Sequence, residues 1–182
     1  MIAIWEAVYR LGVDILGLWK PYLFPSPLSV VKTLAELVRD QTLSIALIAS
    51  AKRIVVGYLV SIMTGIIIGL TIVRFKWLDE NVSALILGLQ TLPSICWLPF
   101  AILWYGLNES AIIFVIAVGS TFAIAIAIES GIKNVNPLFV RAAKTMGASG
   151  FKVYWNVIIP ASLPSLITGL KQGWSFALRA LM

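Results

Sequence analysis

Gln90, Thr91, Ser94, Trp97 and Trp104 gather amide, hydroxyl and indole groups around Pro93 and Pro99, inside a run that is otherwise apolar. A proline within a helix withdraws one N–H and leaves the carbonyl four residues back without its partner. In a bilayer such free backbone groups are tolerated only inside protein or beside a water-filled cavity. Gln90, Ser94 and Trp97 are therefore candidates to line a path for a polar solute. The plainer alternative is a packed helix that the prolines merely kink, its tryptophans serving as packing or interface anchors. Composition by itself favours that alternative.

Covalent chemistry finds no foothold. The chain has no histidine, and its one cysteine, Cys96, sits in an apolar run. Neither a disulfide nor a metal cluster is available, so no metal ligand is assigned. An intramembrane metalloprotease lacks its histidine ligands. Ion-coupled carriers place a carboxylate or histidine within the membrane. Here the charge-free stretches hold no acid, and Glu129 stands at the end of one. No catalytic residue is assigned and the chain is not expected to be an enzyme. The energy for its work is expected from outside it.

The elements that would position these groups are membrane spans. Hydrophobic residues make up 60% of the chain and charged residues 12%, with a mean hydropathy of +0.96. A helix crosses a bilayer core with about 20 apolar residues. Residues 54–73, 82–107 and 110–128 meet that without a charge. Residues 153–170 are also uncharged, and Pro160 and Pro164 read as breaking them into a loop exit and a span that starts near Leu163. The expected fold is all-α, a polytopic membrane helical bundle forming one domain over residues 1–182. Arg74 and Lys76 lie in one connection; Lys133, Arg141, Lys144 and Lys152 lie in another. The positive-inside rule makes both cytoplasmic and the Glu109 turn external. Lys52 and Arg53, at the outer end of the first stretch, read as snorkelling residues. The net charge of +6 follows from this bias and from attraction to anionic lipid. It calls for no nucleic-acid partner.

Both ends are expected to be incomplete. Glu6, Arg10 and Asp14 interrupt the first apolar run, and the last helix reaches Met182 without a glycine cap or polar turn. Within residues 21–40, Pro25 and Pro27 enforce extended backbone, and Ser26 or Ser29 could cap a helix. Val30, Val31, Leu34, Leu37 and Val38 then recur at helical spacing, which predicts an amphipathic helix. Gly57, Gly65 and Gly69 suggest close helix packing, with Gly65 and Gly69 a G-x3-G pair.

Residues 141–160, RAAKTMGASGFKVYWNVIIP, are basic and punctuated by glycine. Good helix formers lead to Ala142 and Ala143, which would give a low-profile face for an approaching protein. Gly147 suits a left-handed helix end. A second short helix would follow from Gly150 and stop at Pro160. This spacing resembles the cytoplasmic EAA loop (E-A-A-x3-G-x9-I-x-L-P) of permease subunits in bacterial binding-protein-dependent ABC importers. Arg141 stands where that motif has glutamate. FPSPLSVVKTL, RIVVGYLVSIMTGIIIGL, LPSICWLPFAILWYGLNES and ASLPSLITGLK extend the resemblance over nearly the whole chain. They are most similar to the nitrate/sulfonate/taurine branch.

The resemblance implies an importer permease of the EAA-loop (type I) kind in the bacterial inner membrane, multi-pass. It assigns a cytoplasmic coupling loop to residues 129–160. Arg141, Ala142, Ala143, Lys144, Gly147, Ala148 and Pro160 would meet a separate ATPase subunit there. That subunit would bind the ATP, and the chain itself would hold no cofactor. An external solute-binding protein, a second permease copy and membrane lipid would be the other partners. Competing readings are a non-transporting scaffold or assembly protein, and a channel or ATP-independent carrier. An ATPase encoded in a neighbouring frame would favour the importer.

Overall fold

A computed structural model describes residues 2–17, 20 and 23–181. Pro21, Tyr22 and Met182, which bounded segments expected from sequence, lie outside the described residues. The chain divides into two compact units, residues 1–49 and 50–182.

In the first unit α1 (Ile2–Tyr9) continues as a π-helical turn, Arg10–Ile15. Arg10 Nε donates to Glu6 Oε1 at 2.9 Å. The expected amphipathic helix is α2 (Pro27–Arg39). Ser26 caps it: its Oγ accepts from the Ser29 N–H at 3.1 Å. Pro27 occupies the first turn, where a missing N–H costs nothing. No α2 residue is buried. Val31 and Val38 are 63% and 59% exposed.

The helix α3 (Thr42–Arg74) is 33 residues long, about 50 Å at 1.5 Å per residue. It contributes residues from 50 onward to the second unit. The organising element there is α6 (Glu109–Lys133), which buries Val115, Ile116, Ser120, Ile124 and Ile128. On one side it receives Gly57, Ser61, Gly65 and Gly69 of α3, all buried and spaced four apart. The expectation of close packing is met there: a Cβ on Gly65 would lie 2.8 Å from Ile124 Cβ. On the other side α6 meets α9 (Ile159–Leu181) through buried Gly169, Gly173 and Ala177. In lipid, helices associate by such close packing and by interhelical hydrogen bonds. Ser61 Oγ donates to the Ala117 carbonyl at 3.1 Å. The Thr64 and Thr121 hydroxyls share a bond of 2.8 Å. Ser120 Oγ donates to the Gly173 carbonyl at 2.9 Å, and Tyr58 OH to the Leu170 carbonyl at 2.7 Å.

Three expectations are corrected. The stretch 82–107 is bent, as its prolines suggest, but at Pro93 alone. It comprises α4 (Lys76–Thr91), a 3₁₀ turn Ser94–Trp97 and α5 (Leu98–Tyr105), bent by 102° at the break. Pro93 makes that break, because it takes the preceding Leu92 into extended backbone at ψ 130°. Pro99 sits in the first turn of α5 and disturbs nothing.

Pro160 does not stop a helix, and no span begins afresh near Leu163. The helix runs unbroken over Phe151–Leu181, as α8 (Phe151–Val153), a π-helical turn Tyr154–Ile158, and α9. The Ile159 N–H bonds to the Tyr154 carbonyl, five residues back. Returning from that wide turn to α register already skips a hydrogen bond, so the missing N–H of Pro160 falls where it costs least.

Arg53 does more than snorkel. Its guanidinium donates to Glu109 Oε1 at 2.8 Å and ties α3 to the start of α6. Among the described residues, three helices are long and apolar enough to cross a membrane, or four if the bent pair counts as one span.

Candidate functional site

The loop between α6 and α9 is built by caps. Asn136 Oδ1 accepts from the Leu138 N–H at 2.9 Å and opens α7 (Pro137–Thr145), with Pro137 in its first turn. The helix closes on a Schellman arrangement. Ala148 N–H bonds to the Ala143 carbonyl at 2.9 Å, and Gly147 N–H to the Lys144 carbonyl at 3.0 Å. Gly147 has φ +87°, the left-handed conformation that glycine adopts without strain.

Ala142 and Ala143 do not share one face, since neighbours on a helix point about 100° apart. Ala143 is 3% exposed, packed under the loop, and Ala142 is exposed. The open surface carries Arg141, Ala142, Lys144 and Gly147, with Ala148 half-buried and Pro160 exposed further along. Met146 and Phe151 project beside them at 81% and 77% exposure. Phe151 stacks on Trp155, with ring centroids 6.0 Å apart.

A charged cluster lies at the same end of the second unit. Lys133 Nζ bonds Glu129 Oε1 at 2.9 Å and also pairs with Asp79 of α4. Ser83 Oγ donates to Glu129 Oε1 at 3.1 Å. The cluster pins the start of α4 to the end of α6.

Gln90, Ser94 and Trp97 are not brought together. Gln90 lines a cavity of about 370 Å³ between α4, α6 and α9, facing Ser130, Ser165, Thr168 and Gln172. Ser94 lines another of about 190 Å³ with Ile112 and Arg179. Trp97 belongs to an aromatic cluster, its ring centroid 6.2 Å from both Phe100 and Phe122. Sequence reasoning missed Ser130, Ser165, Thr168 and Gln172. A signal existed: 165, 168 and 172 share one helix face. The expected span from Leu163 already held all three, but no polar face was read on it.

The chain matches the family described as the binding-protein-dependent transport system inner membrane component over residues 61–182. It is 36% identical over 130 residues to a putative ABC transporter permease protein of Methanocaldococcus jannaschii, covering 71% of this chain and 49% of that one. Identity to the taurine transport system permease protein of Escherichia coli K12 is 30% over 172 residues, covering 90% and 62%. Identity to the nitrate import permease protein of Leptolyngbya laminosa is 32% over 136 residues, covering 72% and 47%. The chain thus spans about half to two thirds of the length of these relatives. The expected all-α membrane architecture, the inner-membrane location and the placing among transport components rather than enzymes accord with the match. With its long apolar helices packed around α6, the chain belongs to the family of inner membrane components of binding-protein-dependent transport systems.

Proposed function

We propose that the chain is the permease subunit of an ATP-driven importer. It would form the solute path and dock a separate ATPase through residues 129–160. The observation that carries this reading is the capped loop, α7–turn–α8, which lies inside the family match. Its helix flows without a stop into the last described span. A partner that moves the loop would therefore move the span with it. ATP-driven closure of two ATPases would draw paired loops together and switch the path between inward- and outward-facing. A second permease copy and an external solute-binding protein complete the assembly. The substrate is a small solute with an anionic group, such as an aliphatic sulfonate, nitrate or taurine, a choice supported by the names of the taurine and nitrate permeases above and, for sulfonates, by an Escherichia coli permease named for aliphatic sulfonates. Selectivity would rest largely with the binding protein.

Ala142→Glu tests the docking. It places a bulky charge on the exposed face of α7 without touching buried Ala143. The full-length variant should insert normally, lose co-purification with its ATPase and lose at least tenfold in ATP-driven uptake. Normal assembly and uptake would show that the loop docks no ATPase.

A further inference from the structure

The cavity between α4, α6 and α9 has a chemistry that the docking reading does not use. Gln90 enters it from α4, Ser130 from α6, and Ser165, Thr168 and Gln172 from α9. Among the described residues its lining holds no lysine, arginine, aspartate or glutamate. Some of these polar groups are already spent. Thr168 Oγ1 donates to the Pro164 carbonyl at 3.0 Å, and Ser130 Oγ to the Ala127 carbonyl at 3.4 Å. Ser165 and Gln172 make no side-chain hydrogen bond among the described residues. Gln90 Oε1 is fully buried and accepts none. A buried carbonyl left without a donor is costly, and such a group calls for an explanation. The cavity that Gln90 borders offers one on a rotation of the side chain, because it is open, polar and roomy enough for a small solute with some water. Ser130 lies about one turn from Lys133, which places the cavity in the cytoplasmic half of α6.

We propose that this cavity is a solute-contact site that reads its ligand by hydrogen bonds alone. On a rotation of the Gln90 side chain that brings its amide carbonyl out of its buried place and into the cavity, Oε1 accepts from an N–H or O–H group of the solute, while Ser165 and Gln172 donate to its anionic oxygens. The proposal rests on the permease reading and adds the residues and the ligand chemistry. A neutral site suits passage: a solute must bind well enough to enter and weakly enough to leave. A fixed counter-charge in the inner half of the membrane would hold an anion too long. Amide and hydroxyl dipoles distinguish solutes by the groups that must be paired. An anion that also carries a donor satisfies Gln90, and one without a donor leaves it unpaired.

Cysteine protection tests this on the complete transporter in proteoliposomes, in a Cys96→Ala background. Ser165→Cys and Gln172→Cys should react with a water-soluble thiol reagent at least tenfold faster than Ile67→Cys. Saturating taurine, which has an ammonium group, should slow labelling fivefold or more. Ethanesulfonate and nitrate, which have no donor, should slow it less than twofold. The taurine effect should vanish in Gln90→Leu. Absence of protection by all three solutes would overturn the site. Equal protection by taurine and ethanesulfonate, or protection that survives Gln90→Leu, would overturn the role of Gln90. Labelling is read without ATP, and ATP-driven uptake by the unsubstituted protein is measured in matching vesicles. Failure of the permease reading abolishes the second measurement and leaves the first to be judged independently.

Discussion

Replacing Gly65 by alanine tests whether the α3–α6 interface is set by backbone proximity. The added Cβ would stand 2.8 Å from both Cβ and Cγ2 of Ile124 and 3.1 Å from the Thr121 carbonyl oxygen. Carbon atoms rest about 3.5–4.0 Å apart, so the helices must part locally by about 1 Å. Ile124 cannot yield alone, because it is 1% exposed and its Cβ is fixed to the backbone. Parting by that much carries Ser61 Oγ–Ala117 O from 3.1 Å, and Thr64–Thr121 from 2.8 Å, beyond hydrogen-bond range. Ser61 and Thr64 retain bonds within α3, to the Gly57 and Val60 carbonyls at 2.8 Å each. Each interhelical bond is therefore worth only about 0.6 kcal/mol. Overpacking adds about 1–3 kcal/mol, and the better helix propensity of alanine returns up to about 1 kcal/mol. The net loss is about 1–4 kcal/mol. It should be read by reversible denaturant unfolding of the full-length protein in lipid–detergent micelles, beside Gly88→Ala, whose Cβ would meet nothing within 4 Å. Gly88→Ala should be neutral or slightly stabilising. Ile124→Ala should not rescue Gly65→Ala, because it removes Cγ2 but keeps the Cβ that clashes. Equal stability of the two glycine variants, or rescue by Ile124→Ala, would refute the account of the interface.

Gly147→Ala meets no neighbour, so its cost is conformational, about 1–2 kcal/mol for a left-handed residue with a Cβ. Hydrogen exchange of the Ala148 amide should accelerate about tenfold, with less change in Gly147→Asn; unchanged exchange would contradict the Schellman end of α7. Lys133→Met removes the cation between Asp79 and Glu129 and leaves two carboxylates side by side. The unfolding midpoint should fall, and Lys133→Arg should restore most of it, whereas equal midpoints for all three would mean that the cluster does not hold α4 to α6.

Much of the molecule is legible in the sequence because bilayers impose strong rules. Residues 54–73 and 110–128 lie within α3 and α6, since charge-free runs of that length have few alternatives. Ser26 and Gly147 mark their helix ends through local hydrogen bonds and backbone sterics, which act over a few residues. The polar cavity was only half legible. Gln90 stands out against its apolar neighbours, but Ser130 and Gln172 become its partners only through packing across 40 and 82 positions. Arg53 and Glu109 meet across 56. No local rule pairs such residues.

The prolines show most clearly where local rules fail. Pro93 and Pro160 are the same residue with opposite outcomes: the first breaks its helix, and the second is carried through by a π-helical turn. The difference has mechanical weight under the proposed coupling. A stop at Pro160 would have put a hinge between the loop and the membrane, and loop movement would dissipate there. The continuous helix Phe151–Leu181 instead carries Trp155 at the loop and Gln172 at the cavity on one rod, about 25 Å apart along its axis. Displacement of the loop therefore reaches the groups that line the cavity along one helix, which carries Pro164 in its interior without ending there. The π-helical turn also supplies a place where the rod can change register, at its junction with the loop and away from Ser165, Thr168 and Gln172.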